Sequence, residues 1–405
     1  MMALAWRNLW RQPRRTLLTT SAIAFACVVM VSLLALQLGT YASMKDNSLN
    51  LFDGYAQVQR PGYLGNPDIR KSFSGSTALV RKIRDIPGVG AVTARARTYA
   101  LLSRDSRSLA AMIVGVQPET EKRVSRIAST VTSGRYLHDG NPAEIVLGDI
   151  LARNLDVKVG DPVTLLGMGR DGSVAADILT VVGLFSSGLK DLDRQTAEVP
   201  LQRFQTDFAM GGAIHALVIS GRSLSAVEHA LPAIRHIVAP AGLKVCGWGE
   251  LEPGLKDAIR LDASTSTLWY VALIVVVVAI LLNTVLMAVL ERTREFGILL
   301  ALGMRPGVAG RMVWLEILLL LSLGLAAGIG LGAALVGWFS VHGLVLPGAE
   351  GVFARWGLPE RIFPELSFVS LFFAPGVMAV CTAVAGIYPF LRIRRLEPVA
   401  AMRAV

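Results

Sequence analysis

A chain of 405 residues that is 53% hydrophobic, with a mean hydropathy of +0.52, is too apolar for an ordinary soluble protein and belongs among membrane proteins. Its net charge of +10 is concentrated in three arginine-marked pieces that together carry +9. No basic patch is interleaved with aromatics, so this charge reports membrane topology and excludes nucleic acid as a partner.

In chain order, residues 1–15 (MMALAWRNLWRQPRR) read as a short interfacial helix, with Trp6, Leu9 and Trp10 beside Arg7 and Arg11. Thr16–Met44 carries no charge and is long enough to span a bilayer. Tyr41-Ala42-Ser43 resembles a signal-peptidase site, but the apolar run is far longer than a signal h-region, so a retained anchor is expected. Lys45–Asp262 is an extramembrane domain with 26 basic and 23 acidic residues, large enough for its own core and for two subdomains. Cys246 is its only cysteine, so it has no internal disulfide.

Within that domain, Ser76–Ile86 reads as an amphipathic helix ended by Pro87-Gly88. Arg95–Leu102 and Ala110–Val116 read as strands, and Glu144–Leu155 as a strand turning helical after Gly148. Val163–Leu166 and Ile178–Val182 read as strands joined by a turn. Ala213–Ile219 (strand), Leu224–Val238 (helix) and Leu243–Trp248 (strand) complete a β-α-β unit near each end with a β-rich insert between. Gly167 to Gly172 matches G-x-G-x-x-G, but Ser173–Val182 is strand-like, so the match is a hairpin loop and not a dinucleotide site. His138, His215, His229 and His236 form no metal-ligand spacing, and no phosphate-binding loop, H-E-x-x-H or C-x-x-C occurs. The chain therefore calls for no cofactor, no metal and no catalytic residue.

Ala263–Leu290 and Leu366–Leu391 are uncharged, and Met312–His342 carries only Glu316, giving three further spans. Twelve arginines put both termini and residues 291–311 on the cytoplasmic side: Arg7, Arg11, Arg14 and Arg15; Arg292, Arg294, Arg305 and Arg311; Arg392, Arg394, Arg395 and Arg403. Residues 343–365 form a short loop on the far side. The second span has no helix breaker from Leu255 to Leu290, and the third would be about 46 Å long against about 30 Å of hydrocarbon. Either the helices continue out of the bilayer as a stalk, or they tilt. Gly324, Gly328 and Gly332 recur every four residues, as do Ala326, Gly330 and Ala334. Such rows allow close helix approach, as an interface that slides or as static packing in one bundle. Glu316 is an intramembrane charge that is either functional, or snorkels to the cytoplasmic interface or pairs with Arg311.

Residues 291–316 (ERTREFGILLALGMRPGVAGRMVWLE) are the most distinctive stretch. A loop between spans needs no helix periodicity, yet Phe296, Leu299, Leu300 and Gly303 share one face while Arg292, Arg294 and Glu295 lie mostly on others. Such an element at the cytoplasmic surface suits contact with a partner protein.

These residues resemble the FtsX-like permeases of the mechanotransmitting ABC class, which includes macrolide-exporter (MacB-like) and lipoprotein-releasing (Lol-type) permeases. The likeness rests on Glu291-Arg292-x-x-Glu295-Phe296-Gly297, then Ala301-Leu302-Gly303, then Glu316. It extends to EIVLGDILARNLDVKVGDPVTL at Glu144–Leu165, and Val182-Gly183-x-Phe185-x-Ser187-Gly188 with Leu192-Asp193 and Trp248 is closest to the Lol-type subunits. Phe296 stands where the family usually has Ile. The implied fold is an α-helical membrane protein with four transmembrane helices and an α+β periplasmic domain of two subdomains inserted between the first and second. The resemblance implies a bacterial inner-membrane permease without its own ATPase. A separate cytoplasmic ABC ATPase subunit would dock through Glu291, Arg292, Arg294, Glu295, Phe296, Gly297, Leu300, Gly303, Met304 and Arg305. It also implies a second permease (a copy or a paralogue), contact with membrane lipids, and lipoprotein or other hydrophobic cargo with a periplasmic carrier. A signalling module that activates a periplasmic partner and a MacB-like efflux permease are the competing readings. The large insert favours transport over signalling, and the lack of a fused ATPase disfavours efflux.

Overall fold

Long uncharged runs become helices because a bilayer leaves no water to satisfy free backbone groups. The computed structural model describes residues 2–139, 143–291, 295, 297–298, 301–302, 304–345 and 361–394. It divides into a membrane unit (Met1–Ala42, Ala258–Gly348, Glu360–Val405) and an extramembrane domain (Ser43–Asp257, with 349–359).

In the membrane unit four helices are long and apolar enough to cross a bilayer: Pro13–Asp53, Pro253–Glu291, Gly307–His342 and Phe368–Leu391. A shorter helix, Met2–Leu9, precedes the first. The second runs unbroken for 39 residues, with Pro253 in its first turn, where a missing N–H costs little. The third starts at Pro306 with Arg305 as N-cap, six residues before Met312, because proline at the first helical position sets the start. The fourth differs from the single helix expected over Leu366–Leu391. It consists of Phe368–Ala385 and Ile387–Arg394, separated at Gly386. Pro389 is the cause: it has no N–H for the Ala385 carbonyl, and its ring would clash with that carbonyl.

The four helices share a core of Ile23, Cys27, Met30 and Val31 from the first, Val277, Leu281 and Val285 from the second, Val313, Ile317 and Leu321 from the third, and Ala374 and Met378 from the fourth. Gly324, Gly328 and Gly332 face the first helix of the same chain. A Cβ at Gly328 would lie 2.5 Å from Cys27 Cβ, and one at Gly324 would lie 2.7 Å from the Ile23 side chain. The glycine row is thus an intrachain packing seam. The second small-residue row, Ala326, Gly330 and Ala334, is exposed.

The extramembrane domain has twelve strands: β1 Ala56–Gln59, β2 Phe73–Ser74, β3 Val89–Arg104, β4 Arg107–Val116, β5 Val131–Gly134, β6 Glu144–Gly148, β7 Pro162–Met168, β8 Val174–Phe185, β9 Thr196–Pro200, β10 Ala213–Ile214, β11 Ala216–Gly221 and β12 Lys244–Gly247. Ten of them form one sheet in the order β12-β1-β11-β3-β4-β9-β6-β8-β5, with β7 pairing both β3 and β8. β2 and β10 pair separately. The long β3 joins two lobes. Its first half, Val89–Arg95, pairs with β11 in an antiparallel lobe that carries the helices Thr77–Arg84 and Leu224–Val238. Its second half, Arg95–Arg104, pairs with β4. Because β7 then bonds β3 at Leu101–Ser103, the strands β3-β4-β9-β6-β8-β7 close on themselves as a ring. The β-rich insert expected from sequence is this ring. Asp149–Leu155 is the helix that follows β6, and residues 167–172 form the β7–β8 hairpin, where the Gly169 N–H donates to the Ser173 carbonyl (2.8 Å).

Candidate functional site

On the arginine-marked side of the membrane unit, the second helix is described through Glu291, which is exposed. Of the ten residues singled out in 291–305, Arg292, Arg294, Phe296, Leu300 and Gly303 lie outside the described residues. Glu295 and Arg305 are exposed, and Gly297 is buried. Met304 is partly buried and packs against the membrane core. The Leu302 N–H donates to the Ile298 carbonyl (3.0 Å), a helical bond that puts these two side chains on one face. They are 47% and 79% exposed, respectively. Ile298 was missed from sequence. Its i,i+4 relation to Leu302 was visible, but the more apolar 296/299/300 face masked it.

Glu316 is half-buried ten residues into the third helix, deeper than a start at Met312 would put it. Its Oε1 accepts a hydrogen bond from Asn8 Nδ2 (2.7 Å). On the opposite side of the bilayer, Tyr41 donates to Asp262 (2.5 Å) and Tyr270 donates to Gln37 (2.9 Å), joining the first and second helices.

The extramembrane domain has a second candidate surface on the outside of its ring. Strand pairing aligns Leu101 with Leu166 and Met168 with Val174, so Tyr99, Leu101, Leu166, Met168, Val174 and Ile178 share one sheet face. All six are exposed, from 39% at Leu101 to 80% at Val174. The alternate residues Ala100, Leu102, Val163, Leu165, Ala175 and Leu179 fill the core. Another stretch of the outer face, at Val114, Val116 and Val146, is covered by Leu51, Phe52, Ile127 and Leu137. A contiguous uncovered apolar face of this kind marks a binding surface more often than a single exposed leucine does.

Where β3 passes from one lobe to the other, Arg95 is buried with its guanidinium on both carboxylate oxygens of Glu121 (2.5 and 3.2 Å) and 4.5 Å above the Phe52 ring. Tyr136 donates to Glu198 Oε2 (2.7 Å), and burial followed by the Glu121 charge pushes the Glu198 carboxyl up to about 8. His215 accepts from the Arg97 N–H (3.0 Å), stacks on Tyr63, and is pushed down to about 4 by burial. These groups act on stability in opposite directions, in overlapping pH windows. Between 4.5 and about 8 the folded Glu198 holds a proton that the unfolded chain has lost, so stability falls as pH rises. Between 6.5 and about 4 the unfolded chain protonates His215 and the folded one does not, so stability falls as pH falls. Glu198→Gln keeps an acceptor for Tyr136 and removes the titration. Its melting temperature in detergent will fall less than that of the wild type as pH is raised toward 8. Parallel curves would exclude Glu198 as the source of the alkaline loss.

Residues 16–234, more than half of the chain, match the MacB-like periplasmic core domain, and residues 268–398 match the FtsX-like permease C-terminal region. A lipoprotein-releasing system transmembrane protein LolC of Xylella fastidiosa is 24% identical over 403 residues, covering 94% of this chain and 92% of that protein. A macrolide export ATP-binding/permease protein MacB of Rhodospirillum rubrum is 27% identical over 271 residues, covering 64% of this chain and 38% of that protein. The solved periplasmic region of MacB from Actinobacillus actinomycetemcomitans aligns at a TM-score of 0.36 and 10% identity, covering 50% of this chain and 92% of that one. Four apolar helices with an α+β domain between the first and second define an ABC transporter permease of the inner membrane. The chain belongs to the MacB-like periplasmic core domain family and carries the FtsX-like permease region after it, with its large domain in the periplasm.

Proposed function

We infer that this permease relays ATP-driven motion of a separate ATPase subunit to its periplasmic domain, where the bare face of β3, β7 and β8 handles the acyl part of a lipoprotein. The observation that carries the reading is the second helix, 39 residues without a break, ending in the segment with exposed Ile298 and Leu302. A continuous helix moves as a rod, so a push at Glu291 reaches Pro253. The apolar face matches acyl chains in chemistry, and the full-length likeness to lipoprotein-releasing LolC proteins supports that cargo over a polar one. In this scheme two permeases, copies or paralogues, serve two ATPase subunits, and a periplasmic carrier accepts the released lipoprotein.

The test is a proteoliposome containing the permease complex and a purified triacylated lipoprotein. ATP will release the lipoprotein into the aqueous phase. Met168→Lys and Ile178→Lys, both at 65% exposed positions, will cut release while leaving the fold within about 0.5 kcal/mol of wild type. ATP-dependent release that survives both substitutions would remove this face from the mechanism.

A further inference from the structure

The N-terminal segment makes a set of polar contacts that neither composition nor the docking reading accounts for. Ala5 and Leu9 of the Met2–Leu9 helix are buried, and that helix packs on the third span. Thr16 Oγ1 donates to the Leu9 carbonyl (2.5 Å), fixing the turn between this helix and the first span. From that fixed turn three side chains reach out. Asn8 Nδ2 bonds Glu316 on the third helix (2.7 Å). Arg15 Nη1 bonds Glu291 on the second helix (3.0 Å), while its Nη2 bonds the Thr284 carbonyl about two turns earlier. Arg11 lies 3.9 Å from Glu295 in the coupling segment.

The charges argue that these contacts have a purpose. A carboxylate draws an opposite charge to hydrogen-bond distance, and Glu291 has one facing it from another helix. Arg15 supplies that charge from the first helix; it is 25% exposed and Glu291 is 53% exposed. Glu316 likewise sits at a depth where a carboxylate is costly unless it is held. Asn8, Arg11, Arg15, Glu295 and Glu316 themselves line an open cleft of about 280 Å³, with Val285 among its apolar residues. The N-terminal residues thus reach Glu291, Glu295 and Glu316 around an open cleft.

We propose that Asn8 to Arg15 is a positioning clamp that holds the coupling segment in the pose the ATPase subunit binds, with Arg15 gripping its start at Glu291 and Asn8 gripping, at Glu316, the third helix that follows it. It rests on the docking reading above and adds to it residues of a different helix, about 280 positions away in the chain.

The test uses the full-length permease in nanodiscs, titrated with the purified ATPase subunit that accompanies it in native membranes. Arg15→Ala and Asn8→Ala will each weaken ATPase binding about fivefold or more, the low end of measured couplings between sites. Arg15→Lys keeps a charge opposite Glu291 and will recover most of the affinity. Lowered thermal stability with unchanged affinity would overturn the clamp, since static packing alone predicts that result. Failure of Arg15→Lys to rescue would overturn the assignment of Arg15 as a charge grip. If Arg15→Ala does not insert, Asn8→Ala decides by the same criteria. Leu302→Asp in the same titration separates the two ideas. If it loses the ATPase while the clamp variants bind normally, only the clamp fails; if all of them bind like wild type, the docking reading fails and takes the clamp with it.

Discussion

Leu302→Asp will abolish recovery of the ATPase subunit with the permease while membrane insertion stays normal. At 79% exposure, Leu302 contributes little to the permease's own fold, where surface changes stay within about 0.5 kcal/mol. Buried against a partner, a leucine side chain is worth about 1.5–3 kcal/mol, so a charge in its place costs roughly ten- to a hundredfold in affinity. Ile298→Asp, one helical turn away, will act in the same direction by a smaller factor, since Ile298 is already half covered within its own chain. Phe296→Asp tests the face marked out by sequence periodicity. Co-purification of the three variants from detergent-solubilised membranes checks the prediction. Full ATPase recovery with Leu302→Asp and Phe296→Asp together would move the docking site off residues 291–305.

What could be read from sequence was what is local. Uncharged runs marked four spans, proline and glycine marked turns, and the change from period 2 to period 3.6 at Gly148 located a strand-to-helix junction to the residue. What could not be read was pairing at long range. β3 serves two lobes and closes a ring through β7, a contact between Leu101 and Leu166 that nothing in either strand announces. The exposed face was hidden for a related reason. Tyr99, Leu101, Met168 and Ile178 look like core residues, and only the pairing shows that the alternate positions fill the core instead. Glu316 stood out as an odd charge, but Asn8, which bonds it, is 308 residues away, and no local pattern announces such a contact. The glycine row was legible as close packing, and only the fold shows that its partner is the first helix of the same chain.

Ser264→Pro will uncouple the transporter, leaving ATP hydrolysis running while lipoprotein release stops. Ser264 is exposed on the second helix, and its Oγ donates only to the Arg260 carbonyl (2.8 Å), so the side chain itself is dispensable. Proline there removes the backbone N–H that bonds the same carbonyl and drives its ring into it, a local cost of about 3 kcal/mol or more. The helix kinks or breaks at that point. Position 264 is 27 residues from the Glu291 end of the helix and is not part of the bare face on β3, β7 and β8, so neither ATPase docking nor cargo contact is touched directly. Ser264→Ala keeps the helix and will behave as wild type, which isolates the backbone as the cause. Both activities are measured in one proteoliposome preparation, as phosphate produced and lipoprotein released. Equal loss of the two, with reduced membrane insertion, would point to misfolding. Unimpaired release with Ser264→Pro would mean that the second helix does not carry the motion, and the relay would then have to run through the first span or the third.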